Sequence, residues 1–230
     1  MSDAPAASAN ASGTGAPPRW LLVTLAIIAA AALAFAVGRF STFGASAAAA
    51  PPRTDSAEAG FARDMQVHHA QAIEMAMTLY RKTEDPTLQV MAYDMATAQS
   101  SQHGEMFGWL VQWGLPQQGG PLMSWMSGAD AAHGGHDLPA ASSDAELRLA
   151  MGMATDDQLR ALDSATGTAA DCLFTELMIT HHEGAIEMVD VVRELGSEPR
   201  VLAVAQSMAE VQQGEIDAMR GVQSRLGCAV

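Results

Sequence analysis

The sequence predicts an all-α protein, a four-helix bundle assembled from two copies of one helical hairpin and preceded by a single apolar N-terminal helix. Three observations predict it. The second half of the chain repeats the first without gaps. Apolar residues recur at helical spacing, with almost no strand-like alternation. An uncharged run occupies residues 20–38.

In chain order, residues 1–18 are rich in Ala, Ser, Gly and Pro and are expected to be disordered. Residues 19–39 follow as an apolar segment. Between Arg19 and Arg39, the 19 residues from Trp20 to Gly38 carry no charge, which is about the length needed to cross a bilayer. A transmembrane anchor is expected here, holding the C-terminal domain outside the cytoplasm. The rival reading is a cleaved signal segment with Ala45-Ser46-Ala47 as the small-x-small site, which would release a secreted protein. Residues 40–57 read as a flexible tether. Residues 58–230 form the duplicated helical domain, with repeat one at 61–113, a connector at 114–171 and repeat two at 172–226.

The repeat aligns residues 61–106 on 174–219 at a constant offset of 113, with 14 of 46 positions identical. The identities fall in uncommon residue types: Phe61/Phe174, Met65/Met178, His68/His181, His69/His182, Met75/Met188, Met95/Met208, Gln99/Gln212 and Met106/Met219. In copy one, Phe61, Met65, His68, Ala72, Met75 and Leu79 mark one face of a helix. Asp85-Pro86 ends that helix and opens the next, with Pro at the first helical position. The second helix carries Met95, Gln99, Gln102 and Met106, and Gly114-Leu115-Pro116 stops it. In copy two, Gly196-Ser197-Glu198-Pro199 makes the corresponding turn. The connector is expected to hold one short helix, Asp157–Leu162, opened by Thr155 and closed by Gly167. A third long helix is expected to begin at Cys172. In an antiparallel hairpin Cys172 and Cys228 would be neighbours, so a disulfide between them is expected.

The net charge is −14, and the acidity lies in the C-terminal domain. Such a surface repels nucleic acid and anionic lipid, so no nucleic-acid role follows from it. No phosphate-binding Gly loop, CxxC or Gly-x-Ser-x-Gly motif is present to suggest catalysis.

The chemistry of the chain concentrates in the repeated Met-x-x-His-His stripe. At about 100° per residue, Met65, His68, His69 and Met75 share the face that must be buried, while Glu74 and its counterpart Glu187 point away. Folding each hairpin about its turn brings His68 and His69 level with Gln99, Gln102 and His103. In copy two, His181 and His182 come level with Gln212 and Glu215, the one inward carboxylate. Three readings compete. The layer could satisfy its own hydrogen bonds as a core network. It could bind a transition metal, since imidazole and thioether together suit soft ions such as Cu(I). Met65, Met178, Met75 and Met188 would then join the four histidines and Glu215, with Gln99, Gln102, His103 and Gln212 behind them. It could also be a di-iron carboxylate site, but that needs Glu-x-x-His motifs, and none occurs. Connector residues Met123, Met126, His133, His136, Met151 and Met153 form a further candidate capture loop.

The segments Phe61–Ala70 and Phe174–Met188, with Gln212-x-x-Glu215-Ile216-x-x-Met219, resemble the bacterial domain-of-unknown-function family 305 (DUF305) over about residues 60–226. The resemblance implies a ferritin-like helical bundle and, for some members, a link to copper binding or resistance. Its suspected ligands map here onto His68, His69, His181, His182, Met65 and Met178. Gln102-His103 in copy one departs from the family's usual pattern. The expected function is therefore metal binding at the cell surface, with copper the leading ion, in storage, buffering or tolerance rather than catalysis. Self-association into a homo-oligomer is compatible with it. The alternative is a metal-free structural or interaction module.

Overall fold

The computed structural model describes residues 18–43, 50–127 and 143–229; within the first helix the side chains of residue 36 and of 38–43 are not described. The expectations for the N-terminal residues 1–17, the Ala45-Ser46-Ala47 site, His133 and His136 lie outside the described residues. The described residues are helical, with no strand among them.

The chain divides into two units, residues 1–50 and 51–230. The first unit contains one helix, α1 (Arg19–Phe43), where the apolar run predicted it. Its described apolar side chains, from Trp20 to Val37, are exposed. Among the described residues, however, no helix is long and apolar enough to cross a membrane. The structure therefore shows α1 as an exposed apolar helix and does not itself support a membrane span.

The second unit contains the repeat. Copy one is α2 (Ala57–Tyr80) followed by α3 (Pro86–Trp113). Ser56 caps α2 by accepting from the Ala59 amide, and Asp85 caps α3 by accepting from the amides of Thr87 and Leu88. Gly114 ends α3 in the left-handed region at φ 69°, where a side chain would be strained. The connector holds two short helices, α4 (Asp144–Ala150) and α5 (Asp156–Ser164), and a 3-10 turn at Ser124–Met126. This corrects the single connector helix expected from sequence: Ser143 and Glu146 form a capping box that starts α4. Copy two is α6 (Gly167–Leu195) followed by α7 (Pro199–Leu226). Gly167 thus opens α6 instead of closing the short helix before it, and Cys172 lies inside α6 rather than at its start. Cys172 and Cys228 form the expected disulfide, with Cα atoms 5.5 Å apart.

Each copy folds as a hairpin, α2 against α3 and α6 against α7, and the copies meet along α2 and α6. Polar ties fix their register. Glu58 at the start of α2 accepts from the amides of Ser197 and Glu198 at the α6–α7 turn. Arg200 of α7 pairs with Glu105 of α3 at 2.9 Å, and Arg225 pairs with Asp85 at 2.6 Å. Two apolar clusters form the core. One gathers Met65, Met106, Met188, Met208, Met151 and Trp109, and the other Met75, Met95, Met178, Met219, Phe174 and Leu79. The four histidines of the stripe belong to neither.

Candidate metal centre

His68, His69, His181 and His182 are all completely buried. They sit in mid-helix on α2 and α6, on the face that the Phe61–Leu79 spacing selects for the core. Where the copies cross, the rings of His68 and His181 stack with centroids 3.6 Å apart. His69 and His182 flank them, with centroids 6.3 and 6.4 Å from their respective neighbours. The four imidazoles thus form one layer across the interface between copies, arranged almost symmetrically.

Every Nε2 atom in this layer has a partner. His68 Nε2 donates to the Met151 carbonyl at 3.0 Å, and His181 Nε2 donates to the His68 carbonyl at 3.1 Å. His69 Nε2 donates to Gln102 Oε1 at 2.8 Å, and His182 Nε2 to Glu215 Oε2 at 2.7 Å. Carbonyl and carboxylate oxygens can only accept, so the proton of each ring resides on Nε2. In a neutral ring Nδ1 then carries the lone pair, and none of the four buried Nδ1 atoms has a hydrogen-bond partner. Both amide atoms of buried Gln99 and Oε1 of Gln212 also lack partners. A buried acceptor left unmatched costs about 1–3 kcal/mol. Part of the hydrogen-bond network expected from sequence is present: Gln102, Glu215 and the carbonyls of Met151 and His68 take the Nε2 protons, while the Nδ1 atoms stay without partners.

Electrostatics keeps those lone pairs available. Burial pushes the pKa of His68 and His181 well below the ordinary imidazole value, and each ring's neighbouring imidazole adds to the depression. Burial lowers His69 to about 4, against the opposing hydrogen bond to Gln102. These rings are neutral at pH 7 and can act as ligands without first losing a proton.

The methionines divide between the two core clusters. Met65 and Met188 share one, and Met178 and Met75 share the other, so the structure separates Met65 from Met178. All four are buried. Glu74 and Glu187 are exposed, as the helical wheel requires. His103 stays partly exposed beside Gln102 and makes no described hydrogen bond into the layer. Among the described residues, no three His, Cys, Asp or Glu side chains converge to hold a metal ion. The residue types offered here, imidazole nitrogen with buried thioether sulfur in the two adjoining apolar clusters, favour soft ions over hard ones.

Sequence reasoning named Met151 and Met153 as capture-loop candidates but missed the backbone role of their segment. The segment Met151–Ala154 lies over α2 and α6, where Met151 supplies the acceptor for His68 and Ala154 exchanges two hydrogen bonds with Gln71. A Cβ at Gly184 would lie 2.0 Å from the Met151 carbonyl oxygen, so glycine alone permits this approach. Gly152 adopts φ 74° in the same segment. The departure of Gly184 from the repeat, on a buried helical face, was the signal available in the sequence.

Comparison with known proteins gives the family. A DUF305 profile, described as a domain of unknown function, matches residues 58–223. A crystal structure of a candidate secreted DUF305 protein from Streptomyces coelicolor is 35% identical, with a TM-score of 0.65, covering 76% of this chain and 96% of that one. A DUF305 fragment from Deinococcus radiodurans is 28% identical, with a TM-score of 0.60, covering 74% and 96%. CopM in its Cu(II)-bound form is 26% identical, with a TM-score of 0.54, covering 74% and 97%. No curated protein sequence matches the chain at a significant level. The profile spans well over half of the sequence, and the chain belongs to the DUF305 family.

Proposed function

We propose that the four long helices form one ferritin-like bundle whose buried histidine layer binds a soft metal ion, copper first, for storage or tolerance outside the cytoplasm. The observation that carries this reading is the set of four buried imidazoles with every Nε2 engaged and every Nδ1 without a hydrogen-bond partner. Histidines that ligate metals ordinarily donate their other nitrogen to a carbonyl or carboxylate, which fixes ring orientation and raises basicity. The relative CopM has been captured with Cu(I), Cu(II) and Ag bound, which supports the same ion class here.

In this reading the chain's residues have distinct tasks. Gln102, Glu215 and the carbonyls of Met151 and His68 orient the rings. His68, His69, His181 and His182 offer Nδ1. Met65, Met75, Met178 and Met188 offer thioether sulfur from the flanking clusters, which also exclude water. The bound ion would supply positive charge to the orphaned acceptors. The disulfide fits an oxidising compartment, and α1 would deliver the domain there as an anchor or an export signal.

The test is an anaerobic Cu(I) titration of the full chain against a competing chelator, with bound metal counted directly. The wild type is expected to retain Cu(I), and a His68/His69/His181/His182→Asn variant to lose it. A second variant, Met65→Leu/Met178→Leu, preserves volume, should cost less than about 1.5 kcal/mol of stability, and is expected to weaken Cu(I) retention. Equal retention by the wild type and the fourfold histidine variant refutes the reading.

A further inference from the structure

The two halves of the histidine layer are built alike but charged differently. His69 Nε2 faces Gln102 and His182 Nε2 faces Glu215, at 2.8 and 2.7 Å, and these two acceptors occupy equivalent positions of the repeat. The geometry is the same, but one half holds a neutral carboxamide and the other a carboxylate. The next position reinforces the difference. His103 stands beside Gln102 in copy one. Its counterpart in copy two is Ile216, an uncharged and buried side chain. Among the described residues, Glu215 is the one carboxylate hydrogen-bonded to a histidine of the stripe.

We infer that Glu215 makes the His182 half of the layer the primary cation site and leaves the His69 half subordinate, so that the first monovalent ion loads beside His182. This rests on the reading that the layer binds a cation. Glu215 is 21% exposed and its partner His182 is fully buried, so a negative charge one imidazole away from the bound ion is only partly screened by solvent. It also holds the His182 ring through Nε2, as carboxylates behind metal-ligating histidines do. A single carboxylate compensates a single monovalent charge. A second ion in the His69 half would be bound without such compensation. Glu215 is a positioning residue here: it acts through His182 and need not touch the metal.

The repeat itself supplies the control. Gln102 already makes the same hydrogen bond in copy one, so Glu215→Gln retains the geometry and removes only the charge. The experiment is a Cu(I) titration of the full chain, anaerobic and against a competing chelator. Long-range proton–nitrogen correlation spectra follow the four buried imidazoles separately. In the wild type, the first equivalent is expected to shift the signals of His182 and His181 before those of His69. Glu215→Gln is expected to weaken the first ion by tenfold to a hundredfold, about the effect of losing a hydrogen-bonded partner of a ligand histidine. The exchange variant Gln102→Glu/Glu215→Gln should restore affinity and move the first response to His69, which a merely structural role for Glu215 would not do. If Glu215→Gln binds the first ion as tightly as the wild type, or if the exchange leaves the order of response unchanged, the inference is overturned while the metal layer stands. If no imidazole signal shifts at stoichiometric Cu(I), the layer reading fails and this inference fails with it.

Discussion

At Gly184 the fold depends on a missing side chain. Helix α6 passes so close to the Met151–Gly152 backbone that a methyl group would overlap the Met151 carbonyl oxygen, 2.0 Å from an ideal Cβ. The neighbour is backbone held by its own hydrogen bonds, and it cannot turn aside as a flexible side chain could. Gly184→Ala is expected to destabilise the protein by about 1–3 kcal/mol, the usual cost of overpacking, measured by urea denaturation. The same variant should pull the Met151 carbonyl from His68 Nε2 and disturb His68 more than His69. Unchanged stability would show that the segment is free to move away. The backbone role of Met151 was unreadable from sequence for a simple reason: its contribution is a backbone oxygen, and side-chain patterns do not report which carbonyl meets which ring. Gln102 and Glu215 were readable, because folding a hairpin at its turn sets depth, and depth pairs them with the histidines.

At the scale of the elements, the long helices were legible because each carries a hydrophobic face and local stop signals. Asp85-Pro86 and Glu198-Pro199 place a capping carboxylate immediately before a proline, and both open the second helix of a hairpin. Helix α4 was not legible in the same way. It has seven residues, one of them buried, so its capping box stands in front of almost no apolar period. The α6–α7 hairpin is closed by Cys172–Cys228, which spans 56 residues of chain. A loop of that length corresponds to about 4 kcal/mol of chain-entropy stabilisation. Reduction, or a Cys172→Ser/Cys228→Ser variant, is therefore expected to lower the melting temperature of the domain markedly. Calorimetry with and without reductant checks this; coincident melting curves would mean that the tie adds nothing to the packed hairpin.

For the whole molecule, the buried histidines couple stability to acidity. The folded pKa of His69 is about 4 against an ordinary 6.5, and His68 and His181 are displaced in the same direction. Below pH 6.5 the unfolded chain takes up protons that these folded rings refuse, so stability is fully present above that pH and falls as the pH drops towards 4. His69 alone corresponds to a loss of up to about 3 kcal/mol. Asp64 works the other way. Burial raises its carboxyl to about 6, against hydrogen bonds from the Met123 amide and the Trp125 indole. Its share of stability is therefore greatest in acid and is lost as pH rises from about 4 to 6. Three rings outweigh one carboxyl, and the melting temperature is expected to fall on going from pH 7 to pH 4.5. A flat profile over that range would contradict burial of the neutral layer. The all-helical class, the duplication and the burial of the stripe all followed from sequence periodicity. The open Nδ1 atoms did not, because which ring nitrogen faces a partner depends on side-chain packing.

The stacked rings of His68 and His181 have one more consequence. They mark where a two-fold axis would pass if the copies were identical. A hairpin whose inner surface matches a copy of itself could have met that copy as a separate molecule. Joining the two in one chain removes concentration from the folding equilibrium. It also releases the halves from sharing one sequence, as they would in a symmetric dimer. A carboxylate in one half opposite an amide in the other is a difference that only a fused pair can keep.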